Sequence, residues 1–80
     1  MDPNTLLELS RYRFKEMIEG WKRCGFKNNH FIRINSATDS DDAKAFKYLK
    51  AKGLVEPLDE DSKWGLTEAG KRTALRLLEM

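Results

Sequence analysis

Cysteine is almost missing from this chain. Cys24 stands alone, which excludes an internal disulfide and any metal site built from clustered thiolates. Histidine is as scarce: His30 has no second imidazole to share a metal or relay a proton, and a structural or surface role is expected for it. No run approaches the roughly 18 apolar residues that a membrane span requires. Met1-Asp2-Pro3-Asn4 does not have the basic-then-apolar pattern of a secretory leader. A soluble, cytoplasmic protein with no membrane partner is therefore expected. Neither sign of charge dominates. Fifteen Lys and Arg stand against 13 Asp and Glu, for a net charge of +2. That is a weak footprint for a nucleic-acid binder, so the placement of charge matters more than its total. The sequence also lacks a glycine-rich phosphate loop, carboxylate pairs in an apolar setting, and Ser/His/Asp or Cys/His arrangements. Asp39, Asp41 and Asp42 do not have the spacing of a calcium loop. No enzyme activity, cofactor or metal is expected.

What is present reads as one small folded domain over residues 1–80. A composition 40% hydrophobic and 35% charged is too apolar for disorder, and 80 residues leave no room for two cores. Asp2-Pro3 reads as an N-cap followed by proline at the first helical position. Leu6, Leu7, Phe14, Met17, Ile18, Trp21 and Cys24 fall within an arc of about 120° at helical spacing. Glu8, Arg11, Lys15, Glu19 and Lys22 fill the opposite side, predicting an amphipathic helix over 4–23 that stops at Gly25. Leu9 and Tyr12 lie off the apolar arc, where they either cover a partner or sit half exposed.

Residues 26–34 are less legible. Phe31-Ile32-Arg33-Ile34 is β-prone by composition, with one short helical turn as the alternative, and an irregular segment or short strand is expected there. Asn35 to Ser40 is a polar connector in which Thr38, Asp39 or Ser40 can cap the next helix. Ala45, Phe46, Leu49 and Gly53 supply an inward face for a helix over 39–52, with Lys44, Lys47, Lys50 and Lys52 around it. Leu54 to Leu58 reads as a strand with Pro57 at an edge or end, Asp59 to Ser62 as a turn, and Lys63 to Leu66 as the return strand. Thr67 then caps a last helix over 68–79, whose apolar residues are Ala69, Ala74, Leu75, Leu77 and Leu78.

Two motifs in order give this pattern a family likeness. Leu49-Lys50-Ala51-Lys52-Gly53-Leu54-Val55 and Leu66-Thr67-Glu68-Ala69-Gly70 resemble the recognition-helix end and the wing closure of winged helix-turn-helix proteins. The nearest likeness is to small transcription regulators of the MarR and PadR kind, over about residues 39–72. The resemblance implies an α+β fold of three main helices with a two-stranded hairpin wing. Helix 39–52 would be the recognition element. Physically, both motifs are scaffold: Gly53 turns a helix into a strand, Leu49 and Leu54 bury beside the first helix, and Thr67 satisfies free N–H groups.

Double-stranded DNA is accordingly the first partner expected. The candidate contacts are Lys44, Lys47 and Lys50 on the exposed helix face, Ser36, Thr38 and Ser40 in the connector and helix start, and Arg33 and Lys63 on either side. The acids oppose this reading. Asp39, Asp41 and Asp42 lie at the helix start and Asp59, Glu60 and Asp61 at the wing tip, where phosphate contact favours cations. The alternative is a protein-interaction module, with Leu9, Tyr12 and Leu77 as off-stripe contacts and Trp64 either an exposed anchor or packed on the last helix. A homodimer through the first and last helices is compatible with both.

Overall fold

The computed structural model describes residues 2–34, 40–58 and 62–79. Among them the order is α1 (Pro3–Arg23), β1 (Ile32–Arg33), α2 (Asp41–Ala51), β2 (Val55–Pro57), β3 (Lys63–Leu66) and α3 (Glu68–Leu78). The class is α+β: three helices and one antiparallel sheet of strand order β1-β3-β2. The expected two-stranded flap thus gains a third strand. Ile32 pairs with Trp64 and Arg33 with Lys63, while Val55, Glu56 and Pro57 pair with Leu66, Gly65 and Trp64. The two readings of residues 31–34 resolve to a strand because burial alternates: Phe31 and Arg33 are exposed, Ile32 and Ile34 half-buried. Pro57 ends β2 on an outer strand, where its missing N–H breaks no ladder.

The core joins all three layers. Phe14, Met17, Ile18 and Trp21 of α1 meet Phe46 and Leu49 of α2, Val55 of β2, Trp64 and Leu66 of β3, and Ala74 of α3. The buried stripe of α1 also contains a polar residue. Ser10 is buried, and its hydroxyl donates to the Leu6 carbonyl at 2.7 Å and lies 3.5 Å from the Ala45 carbonyl. Small side chains at Ser10 and Ala45 let the two helix backbones come close, and the intrahelical bond keeps the hydroxyl satisfied.

Both long-helix exits use the same device. At the end of α1, Gly25 (φ 82°) donates to the Lys22 carbonyl and Phe26 to that of Trp21. At the end of α2, Gly53 (φ 77°) donates to Lys50 and Leu54 to Leu49. This is the paired Schellman pattern, which needs a left-handed residue just past the helix. Phe26 is itself left-handed (φ 61°), and its ring stands edge-on to Trp21 at 5.0 Å. That packing and the bond to the Trp21 carbonyl hold a backbone state that non-glycine residues rarely adopt.

Leu54 and Thr67 tie the two sequence motifs into one joint. The Thr67 N–H donates to the Leu54 carbonyl at 3.1 Å, its hydroxyl donates to the Gly53 carbonyl, and it accepts from the Gly70 N–H at 3.0 Å. Gly70 lies so close to the Leu54 backbone that an added Cβ would overlap the carbonyl oxygen and sit 3.0 Å from its carbon. Glycine is required there for space. Of the apolar residues of α3, Ala74 is buried and Leu78 half-buried, while Leu75 and Leu77 remain 45% and 49% exposed.

Candidate nucleic-acid interface

The capping chemistry of α2 sets where its cations point. Ser40 is the N-cap, its hydroxyl accepting from the Ala43 N–H at 3.1 Å. One of the three candidate caps is thereby selected, and the same hydroxyl is engaged in the helix start. Ala43, Ala45, Phe46 and Leu49 are buried. Lys44, Lys47 and Lys50 are exposed and recur every third residue, so they wind round the outer face by about 60° per step. Tyr48 lies one residue beyond Lys47, half-buried, with the Lys52 ammonium 5.5 Å from its ring centroid. Sequence reasoning passed over Tyr48. The signal was its spacing of four from Lys44, which puts both on one strip.

A second group of candidates gathers on the sheet. Arg33 and Lys63 are cross-strand partners, and both reach over the exposed Phe31 ring, at 5.9 Å and 4.7 Å from its centroid. The short β1 brings them together across about thirty positions of chain, which no local pattern could reveal. Ser36 and Thr38 lie outside the described residues, as do Asp39 and the acidic turn Asp59, Glu60 and Asp61.

The acidic start of α2 is partly answered from α1. Arg13 donates through Nε to Asp42 Oδ1 at 2.8 Å, its Nη2 lies 2.6 Å from the same oxygen, and Nη1 reaches Glu16 at 3.0 Å. Partial burial works against the guanidinium charge, but hydrogen bonding and charge from Asp42, with help from Glu16, outweigh it and hold Arg13 above its ordinary pKa. Asp41 stays exposed.

The structure also brings Cys24 and His30 together. The thiol donates to the Trp21 carbonyl at 3.1 Å, and His30 Nδ1 lies 3.7 Å from the sulfur. His30 Nε2 is buried against Gly20 with no hydrogen-bond partner, and burial pushes the imidazole pKa down. No group of three or more His, Cys, Asp or Glu among the described residues could hold a metal ion. A cleft of about 390 Å³ opens beside His30, between Asn28 and Asn29, Gly65 of β3 and Thr67, Glu68 and Lys71 at the start of α3. None of the six candidate contact residues that are described lines it.

No family model, curated protein or solved structure matches this chain. Trp64 is not an exposed anchor: it is 7% exposed and packs on Phe46, ring centroids 5.6 Å apart. Among the described residues, no helix is long and apolar enough to cross a membrane.

Proposed function

We propose that the chain is a winged helix-turn-helix module that binds double-stranded DNA, with α2 as the element that faces the groove and β2–β3 as its wing. The observation that carries this reading is the division of α2. One side is buried in the core, while Lys44, Lys47 and Lys50 all stand on the solvent side. A capped helix that is anchored on one face and cationic on the other can neutralise phosphates while remaining fixed to its domain. Arg33 and Lys63, gathered over Phe31, supply a second cationic point.

The test is a salt titration of binding to mixed-sequence duplex DNA. Each phosphate contact adds about 0.9 to the slope of log affinity against log salt on B-DNA. The double substitution Lys44→Glu, Lys47→Glu is expected to weaken binding sharply and to flatten that slope. No binding by the unaltered protein at low ionic strength rejects the proposal.

A second reading has its own support. Tyr12 is 59% exposed, and Leu75 and Leu77 of α3 are about half exposed. Such residues on α1 and α3 suit a protein contact, including a homodimer that would present two copies of α2 to a two-fold site. Sedimentation that shows a monomer at high micromolar concentration would dismiss the dimer.

A further inference from the structure

The buried face of α2, formed by Ala43, Ala45, Phe46 and Leu49, sets its depth and its approximate roll. Its large buried side chains, Phe46 and Leu49, sit in the middle and last turns, while the first turns are packed only by the small Ala43 and Ala45. A directional tie is present at the other end of the helix. Asp42 is the second residue of α2, and Arg13 places two nitrogens on one of its oxygens while a third reaches Glu16. Both side chains of the Arg13–Asp42 pair are about 30% exposed, in the band between bulk water and core. One turn earlier along α1, buried Ser10 lies against α2, its hydroxyl 3.5 Å from the Ala45 carbonyl. The pair and this close approach therefore act together at the N-terminal half of α2.

The consequence for the outer face follows from helix dimensions. With side chains, a helix has a radius of about 5–6 Å, so a roll of about 20° carries a side-chain tip about 2 Å. A shift of that size stretches a lysine-to-phosphate hydrogen bond out of range unless the flexible stem re-forms it in another rotamer, at a cost in side-chain freedom. We propose that Arg13 is a positioning residue for DNA binding: it locks the roll of α2 through Asp42 and so aims Lys44 and Lys47, without itself touching the nucleic acid. This rests on the reading of α2 as the groove-facing helix.

A charge swap tests it, with affinity for mixed-sequence duplex DNA measured below the melting temperature of each variant. Arg13→Asp is expected to weaken binding about ten-fold, the loss of roughly one or two phosphate contacts. The double variant Arg13→Asp, Asp42→Arg rebuilds the pair with its partners exchanged and is expected to return affinity to within about three-fold of the unaltered protein. Arg13→Gln serves if the aspartate variant does not fold, with the same direction and a smaller loss. Three outcomes overturn the proposal. Unchanged affinity in folded Arg13→Asp makes the pair merely structural. Loss that the swap does not restore makes Arg13 itself a DNA contact. An unaltered protein that does not bind DNA at low salt removes the groove-facing reading and this inference with it. The first two leave that reading standing, so the failures are distinguishable.

Discussion

Substitution of Gly70 by alanine is the sharpest probe of the joint between the two sequence motifs. In an unconstrained helix the change would stabilise by about 0.5–1 kcal/mol, because glycine loses the most backbone freedom on folding. At Gly70 the new methyl would overlap the Leu54 carbonyl oxygen and stand 3.0 Å from its carbon, against an ordinary separation of about 3.5 Å or more. The clash is with backbone on both sides, so no side chain can rotate away. Relief requires α3 to lift from the turn after α2, and the same Leu54 oxygen accepts the Thr67 N–H. Overpacking costs about 1–3 kcal/mol, and loss of a buried hydrogen bond costs a further ~1 kcal/mol or more. Ala74, fully buried, and half-buried Leu78 would lose contact as the helix moves. A net loss of about 3 kcal/mol is expected, which for a domain of this size lowers the melting temperature by about 12–24 °C. Far-UV circular dichroism on heating, with urea titration as a second measure, reads it directly. Gly53→Ala is the comparison: nothing lies within 4 Å of its added Cβ, so only the left-handed backbone (φ 77°) is penalised, by about 1 kcal/mol. A Gly70→Ala protein as stable as the unaltered one would refute the argument that space, not flexibility, selects glycine there.

Three further outcomes are expected. Burial depresses the His30 pKa below its ordinary 6.5, so the folded state holds fewer protons than the unfolded one. Stability contributed by neutral His30 is complete above about pH 6.5 and declines as pH falls below it, a dependence that His30→Gln should flatten in melting curves recorded from about pH 7.5 to 5.5. Ser40→Ala removes the acceptor of the Ala43 N–H and is expected to cost about 1 kcal/mol, while Ser40→Asp keeps the cap; equal melting temperatures for all three proteins would contradict the assignment. Phe26→Val should destabilise about 1 kcal/mol more than Phe26→Asn in urea titrations, since a β-branched residue tolerates the left-handed backbone poorly and asparagine accepts it.

Local chemistry explains which elements could be read in advance. The span of α1 followed from apolar spacing between Asp2-Pro3 and Gly25, that of α3 from a capping side chain at Thr67, and that of α2 from its inward face and Gly53, with Ser40 one of three possible caps. Each of these signals acts within four residues. β1 carried no such signal, because a two-residue strand owes its existence to β3, about thirty positions away. The candidate contacts divided in the same manner. Exposure of Lys44, Lys47 and Lys50 followed from the period of one helix, whereas the meeting of Arg33 with Lys63 over Phe31 depended on strand register. Of the apolar residues of α3, Leu77, expected off the main stripe, is exposed together with Leu75, and the helix rests on the rest of the fold mainly along the narrow line of Gly70, Ala74 and Leu78.

The amino-acid order by itself determined the three helices, the caps of the first and last, the glycine exits and the hairpin turn-back, since propensity, capping and periodicity are properties of neighbours along the chain. Only the tertiary structure decided the third strand, the burial of Trp64, the Arg13–Asp42 tie and the contact that forbids a side chain at Gly70. Each of those joins residues far apart in the chain that packing brings close, where burial, hydrogen bonds and charge act between segments and not within one.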